Sequence, residues 1–115
     1  MINNINIHKH VLNSITFPVI IIDDLKNIKM VNSAAEAFFK SSLKVLAEKK
    51  IQDIFPFSSP ALFLVDSCIK TGSIYKEYKV DLSTPMSGIH KDIDIEVTPV
   101  TDLKKIFQIT LIEDY

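Results

Sequence analysis

Three histidines, one cysteine and a run of alternating carboxylates are the residues of this 115-residue chain whose types could support chemistry. His8 and His10 are two apart, so on a helix they point to different faces and cannot share one metal ion. With His90 they read as solvated side chains. Cys68 has no second cysteine, which excludes an intrachain disulfide and a cysteine-based zinc site. It stands beside Ile69 in a helical apolar pattern, where a free thiol behaves as a small hydrophobe. Asp92, Asp94 and Glu96 alternate with Ile93, Ile95 and Val97, the clearest alternation in the chain. Three like charges on one strand face repel when buried, so this face reads as solvated or as an edge that discourages further pairing. Acid–base catalysis of an isomerase or hydratase type would need Asp94 or Glu96 inside an apolar cavity with a raised pKa. The alternation places them opposite the apolar side chains instead.

Composition narrows the classes further. All 13 basic residues are lysine, so bidentate arginine recognition of phosphate or guanine is excluded. A net charge of -1 leaves no electrostatic footprint for nucleic acid. Two glycines provide no glycine-rich phosphate loop. Wholly apolar runs such as Val19 to Ile22 are far short of the roughly 20 residues of a membrane span. The amino terminus lacks the pattern of a signal peptide, and a reducing, cytoplasmic compartment is expected. With 47% hydrophobic residues, a chain of this length can hold one core without staples.

The elements that must position these residues are legible from period and punctuation. Residues 4–15 predict an amphipathic helix with Ile7, Val11 and Ile15 on one face and Leu12 beside them. Phe17-Pro18 ends it. Val19–Ile22 and Ile28–Val31 predict a hairpin across Asp23–Asn27. Asn32 or Ser33 opens a helix, with Ser33 and Glu36 at capping-box spacing. Leu43–Lys49 predicts a second short helix, and 52–60 a loop. Ser59-Pro60 starts a third helix that ends at Gly72, with Leu62, Val65 and Ile69 as its stripe. Three strands follow: 74–82, with apolar face Ile74, Tyr78, Val80 and Leu82; 92–99; and 105–112. Strands at both ends and helices between them predict an α+β domain, one antiparallel sheet with helices on one face. The N-terminal helix is the natural cover of the other face.

This order of elements, with these residues, resembles a PAS domain. The matching stretch is VLNSITFPVIIIDDLKNIKMVNSAAEAFF followed by KKIQDIFP. A narrower resemblance, to the N-terminal sensor domain of nitrogen-regulation (NtrB-type) histidine kinases, is carried by SSPALFLVDSCIKTG, EYKVDLSTPMSG and DIDIEVTPV. It implies a single five-stranded PAS domain over 1–115, with a helix in 1–15 and the core in 18–113. The chain departs from the PAS pattern at two positions that often carry glycine. Asn27 stands in the first hairpin and Lys40 after the first central helix. Asn27 can itself adopt a left-handed backbone.

The resemblance also implies roles. A PAS pocket lies between sheet and central helices, which points to Phe38, Phe39, Phe55, Phe57, Phe63, Tyr78 and Phe107, with Gln108 as the polar candidate. Core packing explains the same aromatics equally well. The helix around 60–71 has no histidine to ligate haem, and no Asn-Cys-Arg run suggests a flavin adduct, so no cofactor is expected. Ile7, Val11, Leu12 and Ile15 would pair two protomers as a homodimer. Leu111, Ile112, Glu113 and Asp114 would carry the signal out toward an attached kinase region. A PII-type regulatory protein and a response regulator would act through that kinase. No phosphoacceptor or nucleotide-binding segment lies in these residues, so the expectation is an excised or truncated regulatory module without catalysis of its own. A small-molecule sensor is the alternative.

Overall fold

The computed structural model describes residue 11 and residues 13–55, 59–82, 92–100 and 105–113. Its strands are β1 (Val19–Asp23), β2 (Ile28–Val31), β3 (Tyr75–Val80), β4 (Ile93–Pro99) and β5 (Ile106–Glu113). Its helices are α1 (Ser33–Phe39), α2 (Leu43–Leu46), α3 (Ile51–Ile54) and α4 (Pro60–Thr71). The strands form one antiparallel sheet in the order β2-β1-β5-β4-β3. The two chain ends of the sheet, β1 and β5, are therefore neighbours at its centre.

Period-2 alternation sorts the side chains. Ile20 pairs with Ile109, and Ile109 with Val97, so one row of buried apolar residues crosses three strands. Ile22, Phe107, Leu111, Ile93 and Ile95 extend the same face. Ala35, Phe38 and Phe39 of α1, Leu46, Ile51, Ile54, and Ala61, Leu64, Val65 and Cys68 of α4 join it in a single core. Ser59 caps α4 by accepting the Ala61 amide at 3.1 Å, and Gly72 closes it with φ 72°. The buried stripe of α4 lies beside the predicted one: Leu62 and Ile69 are only its partly buried flanks.

Four local readings are corrected by the tertiary structure. In β3 the predicted apolar face fails before Val80. Tyr75 packs on the core, whereas Ile74 and Tyr78 are exposed. One extra residue sits on β3 between the Glu77–Ile95 and Val80–Ile93 pairs, a bulge that moves the alternation by one. Lys79 takes φ 54° there, and its amide donates to Asp94 Oδ1 at 3.1 Å.

In the first hairpin the left-handed residue is Lys26 (φ 69°), not Asn27. Asn27 instead donates both its amides to Asp23. The segment read as a loop from residue 52 contains the end of α3, whose Asp53 carboxylate accepts the Lys50 amide at 2.9 Å.

Finally, Ser33 and Glu36 do not form a capping box. Asn32 is the N-cap of α1 and accepts the Ala35 amide at 2.9 Å. Glu36 reaches forward to accept the Leu43 amide at 2.7 Å, and Ser33 donates to Asn13.

Candidate functional site: aromatic cluster, chain ends and acidic face

The aromatic cluster is built by α1 and the segment after α3. Phe38 and Phe39 meet edge to face with centroids 4.9 Å apart, and Phe55 lies 6.2 Å from Phe39. These distances suit the quadrupoles of the rings. Phe107 is buried on the core face of β5, opposite Ile22. Phe38, Phe39, Phe55 and Phe107 thus share the core between sheet and helices.

Three residues predicted for the same pocket do not join it. Phe63 is 71% exposed on the outer side of α4, and Tyr78 is 63% exposed within the β3 bulge. Lys76 Nζ stands 5.4 Å from the Tyr78 ring centroid, a cation–π contact at the surface. Gln108 follows Phe107, so its side chain is directed to the opposite sheet face, where it donates to Thr110 Oγ1 at 3.3 Å. Phe57 lies outside the described residues.

The carboxylates sit on that same opposite face. Glu96 is 3.9 Å from Lys76 Nζ, and Asp94 takes the Lys79 amide. Neither enters the apolar core, which removes the arrangement an isomerase or hydratase would need. Cys68 is fully buried on α4, and burial pushes its thiol pKa up. Among the described residues no three histidine, cysteine, aspartate or glutamate side chains gather as metal ligands.

Of the dimerisation candidates, Val11 is 56% exposed and Ile15 is half-buried. Ile7 and Leu12 lie outside the described residues. In the exit segment Leu111 is buried, Ile112 is half-buried and Glu113 pairs with Ile93 at the end of β5. Asp114 lies outside the described residues.

Asn32, read from sequence only as a helix opener, does more than cap. It is fully buried. Its Oδ1 accepts from the amides of Val19 and Ala35, both at 2.9 Å. Its Nδ2 donates to the carbonyls of Phe17 at 2.7 Å and Ile15 at 3.2 Å. The only hint in the sequence is an amide side chain next to an apolar strand; its partners up to 17 residues away are invisible there.

The PAS domain family model matches residues 6–72, more than half of the chain. The chain belongs to the PAS domain family. This PAS domain is 40% identical over 90 residues to the sensory histidine kinase/phosphatase NtrB of Rhizobium meliloti (strain 1021). It is 43% identical over 90 residues to the NtrB of Rhizobium leguminosarum bv. phaseoli. Both matches cover 78% of this chain, but the chain spans only 24% and 23% of those kinases. Its fold is that of the PAS domain of nitrogen regulation protein NR(II) from Vibrio parahaemolyticus. That likeness has a TM-score of 0.76 at 19% identity and covers 93% of this chain and 97% of that one. A PAS domain from a two-component sensor histidine kinase matches with a TM-score of 0.73 at 17% identity, covering 96% of each chain. Among the described residues no helix is long and apolar enough to cross a membrane.

Proposed function

We propose that this PAS domain is the non-catalytic sensor and regulatory module of a nitrogen-regulation-type histidine kinase. The 40% identity to an NtrB kinase over 78% of the chain carries the reading. In it, two copies pair through the face that includes Val11 and Ile15, and β5 passes the signal to a kinase region beyond Glu113. A PII-type protein and a response regulator act through that kinase, in the cytoplasm, and the module itself works without haem or flavin. A ligand or partner biases the output only through different affinities for two arrangements of the module.

The test replaces the matching segment of the Rhizobium meliloti NtrB kinase with this chain. Autophosphorylation and phosphatase activity that stay regulated, compared with a segment deletion, are the expected result. Activity no different from the deletion overturns the proposal. Native mass spectrometry of the purified domain then separates its two forms. A dimer with no extra mass fits a scaffold and relay, whereas a defined mass released on denaturation makes Phe38, Phe39, Phe55 and Phe107 the lining of a small-molecule site. A ligand-free monomer overturns the dimer assignment.

A further inference from the structure

We infer that Asn32 clamps the N-terminal lead-in and the exit strand β5 into one mechanical unit. A displacement of residues 13–18 then reaches Leu111 directly, without passing through the aromatic cluster. The carbonyls of Ile15 and Phe17 accept from Asn32 Nδ2, and the amide of Val19 donates to Asn32 Oδ1. The Asn32 backbone amide donates to the Val19 carbonyl at 3.1 Å. Between these anchors, the carbonyl of buried Pro18 accepts the amide of Leu111 at 2.9 Å.

Pro18 precedes β1, and the β1–β5 ladder ends at the Val19–Thr110 pair. The Pro18–Leu111 bond is thus one step outside that ladder, and it links the chain leading into the sheet to the chain leaving it. Asn13 adds a second anchor, its Oδ1 accepting from the amide and hydroxyl of Ser33 at 2.9 and 3.0 Å.

A primary amide is the one side chain that serves both ends of this arrangement, because it offers an acceptor and two donors at once. Buried as Asn32 is, each of these bonds is costly to leave unmade, so the lead-in holds one geometry. The Pro18 carbonyl moves with the Phe17 and Val19 anchors on either side of it, and Leu111 moves with Pro18.

The relay proposed above is what such a clamp would serve, but the coupling is measured without any kinase, so the two can fail separately. The experiment is NMR-detected amide hydrogen exchange on the 115-residue chain. Asn32→Asp keeps the acceptor and removes both donors to Ile15 and Phe17. Asn13→Ala, at an exposed site, releases only the second anchor and serves where the first variant fails to fold. Ser42→Ala removes a cap at α2, which holds neither chain end, and is the control. Expected is an increase of about tenfold or more in Leu111 exchange relative to Ile95 and Val97 in Asn32→Asp. A smaller relative increase is expected in Asn13→Ala, and none in Ser42→Ala. Leu111 exchange that keeps pace with Ile95 and Val97 in the clamp variants overturns the inference, as does an equal rise in the control.

Discussion

Asp23 closes the first hairpin by gripping Asn27 twice. Its Oδ1 accepts the Asn27 backbone amide at 2.8 Å, and its Oδ2 accepts the Asn27 side-chain amide at 3.0 Å. The Leu25 amide adds a third bond at 2.9 Å, and Lys29 Nζ stands 3.7 Å away.

These contacts set a pH dependence. Burial alone raises the Asp23 pKa, but the bonds from Asn27 and Leu25 and the charge of Lys29 together hold it below its ordinary value of 3.8. A depressed folded-state pKa adds stability that is fully present above the unfolded pKa. That stability is lost as pH falls through the folded pKa. Asp23→Asn should therefore lose stability at neutral pH and lose less than the parent on acidification below about pH 4. Urea denaturation at a series of pH values reads this directly. Parallel curves for the two proteins would show that Asp23 contributes nothing to acid unfolding.

Lys40 ends α1 with φ 52°, a left-handed backbone that costs a residue with a Cβ about 1–2 kcal/mol. Its amide donates to the Ala37 and Glu36 carbonyls, so the conformation is needed to close the helix. Lys40→Gly should stabilise the domain by about 0.5–1 kcal/mol after the entropy of glycine is counted. Lys40→Ala should give no such gain. Thermal and urea midpoints of the three proteins decide it.

The partition of the phenylalanines is testable by truncation. Phe39 is fully buried between Phe38 and Phe55, and Phe39→Ala should cost about 3–5 kcal/mol. Phe63→Ala should change stability by no more than about 0.5 kcal/mol, because its ring is already in water. Equal losses in urea denaturation would contradict the placement of Phe63 on the outer side of α4.

Cys68 should be inert while the domain is folded. Its side chain is fully buried in the core, and desolvation keeps the thiol protonated further up the pH scale. A thiol reagent at about pH 8 should label it only as fast as the domain opens, and at full rate in denaturant. Rapid labelling of the native protein would mean that α4 separates from the core independently.

Much of this molecule was determined by short-range pattern. The hairpin, the Ser59-Pro60 start and Gly72 end of α4, and the strands around Ile95 and Ile109 follow from alternation, caps and chain stops, which act within a few residues. The separation of Asp94 and Glu96 from the apolar face was equally legible, because side chains on a strand alternate wherever it lies. The tertiary structure alone decided three things. The bulge before Val80 turned Tyr78 outward, because register is set by the partner strand and not by the strand itself. The turn of α4 left Phe63 in solvent while Ala61, Leu64, Val65 and Cys68 met the sheet. Asn32 became the meeting point of Ile15, Phe17 and Val19, since hydrogen bonds across 13 to 17 residues exist only once β2 has paired with β1 and set Asn32 beside the chain that leads into β1.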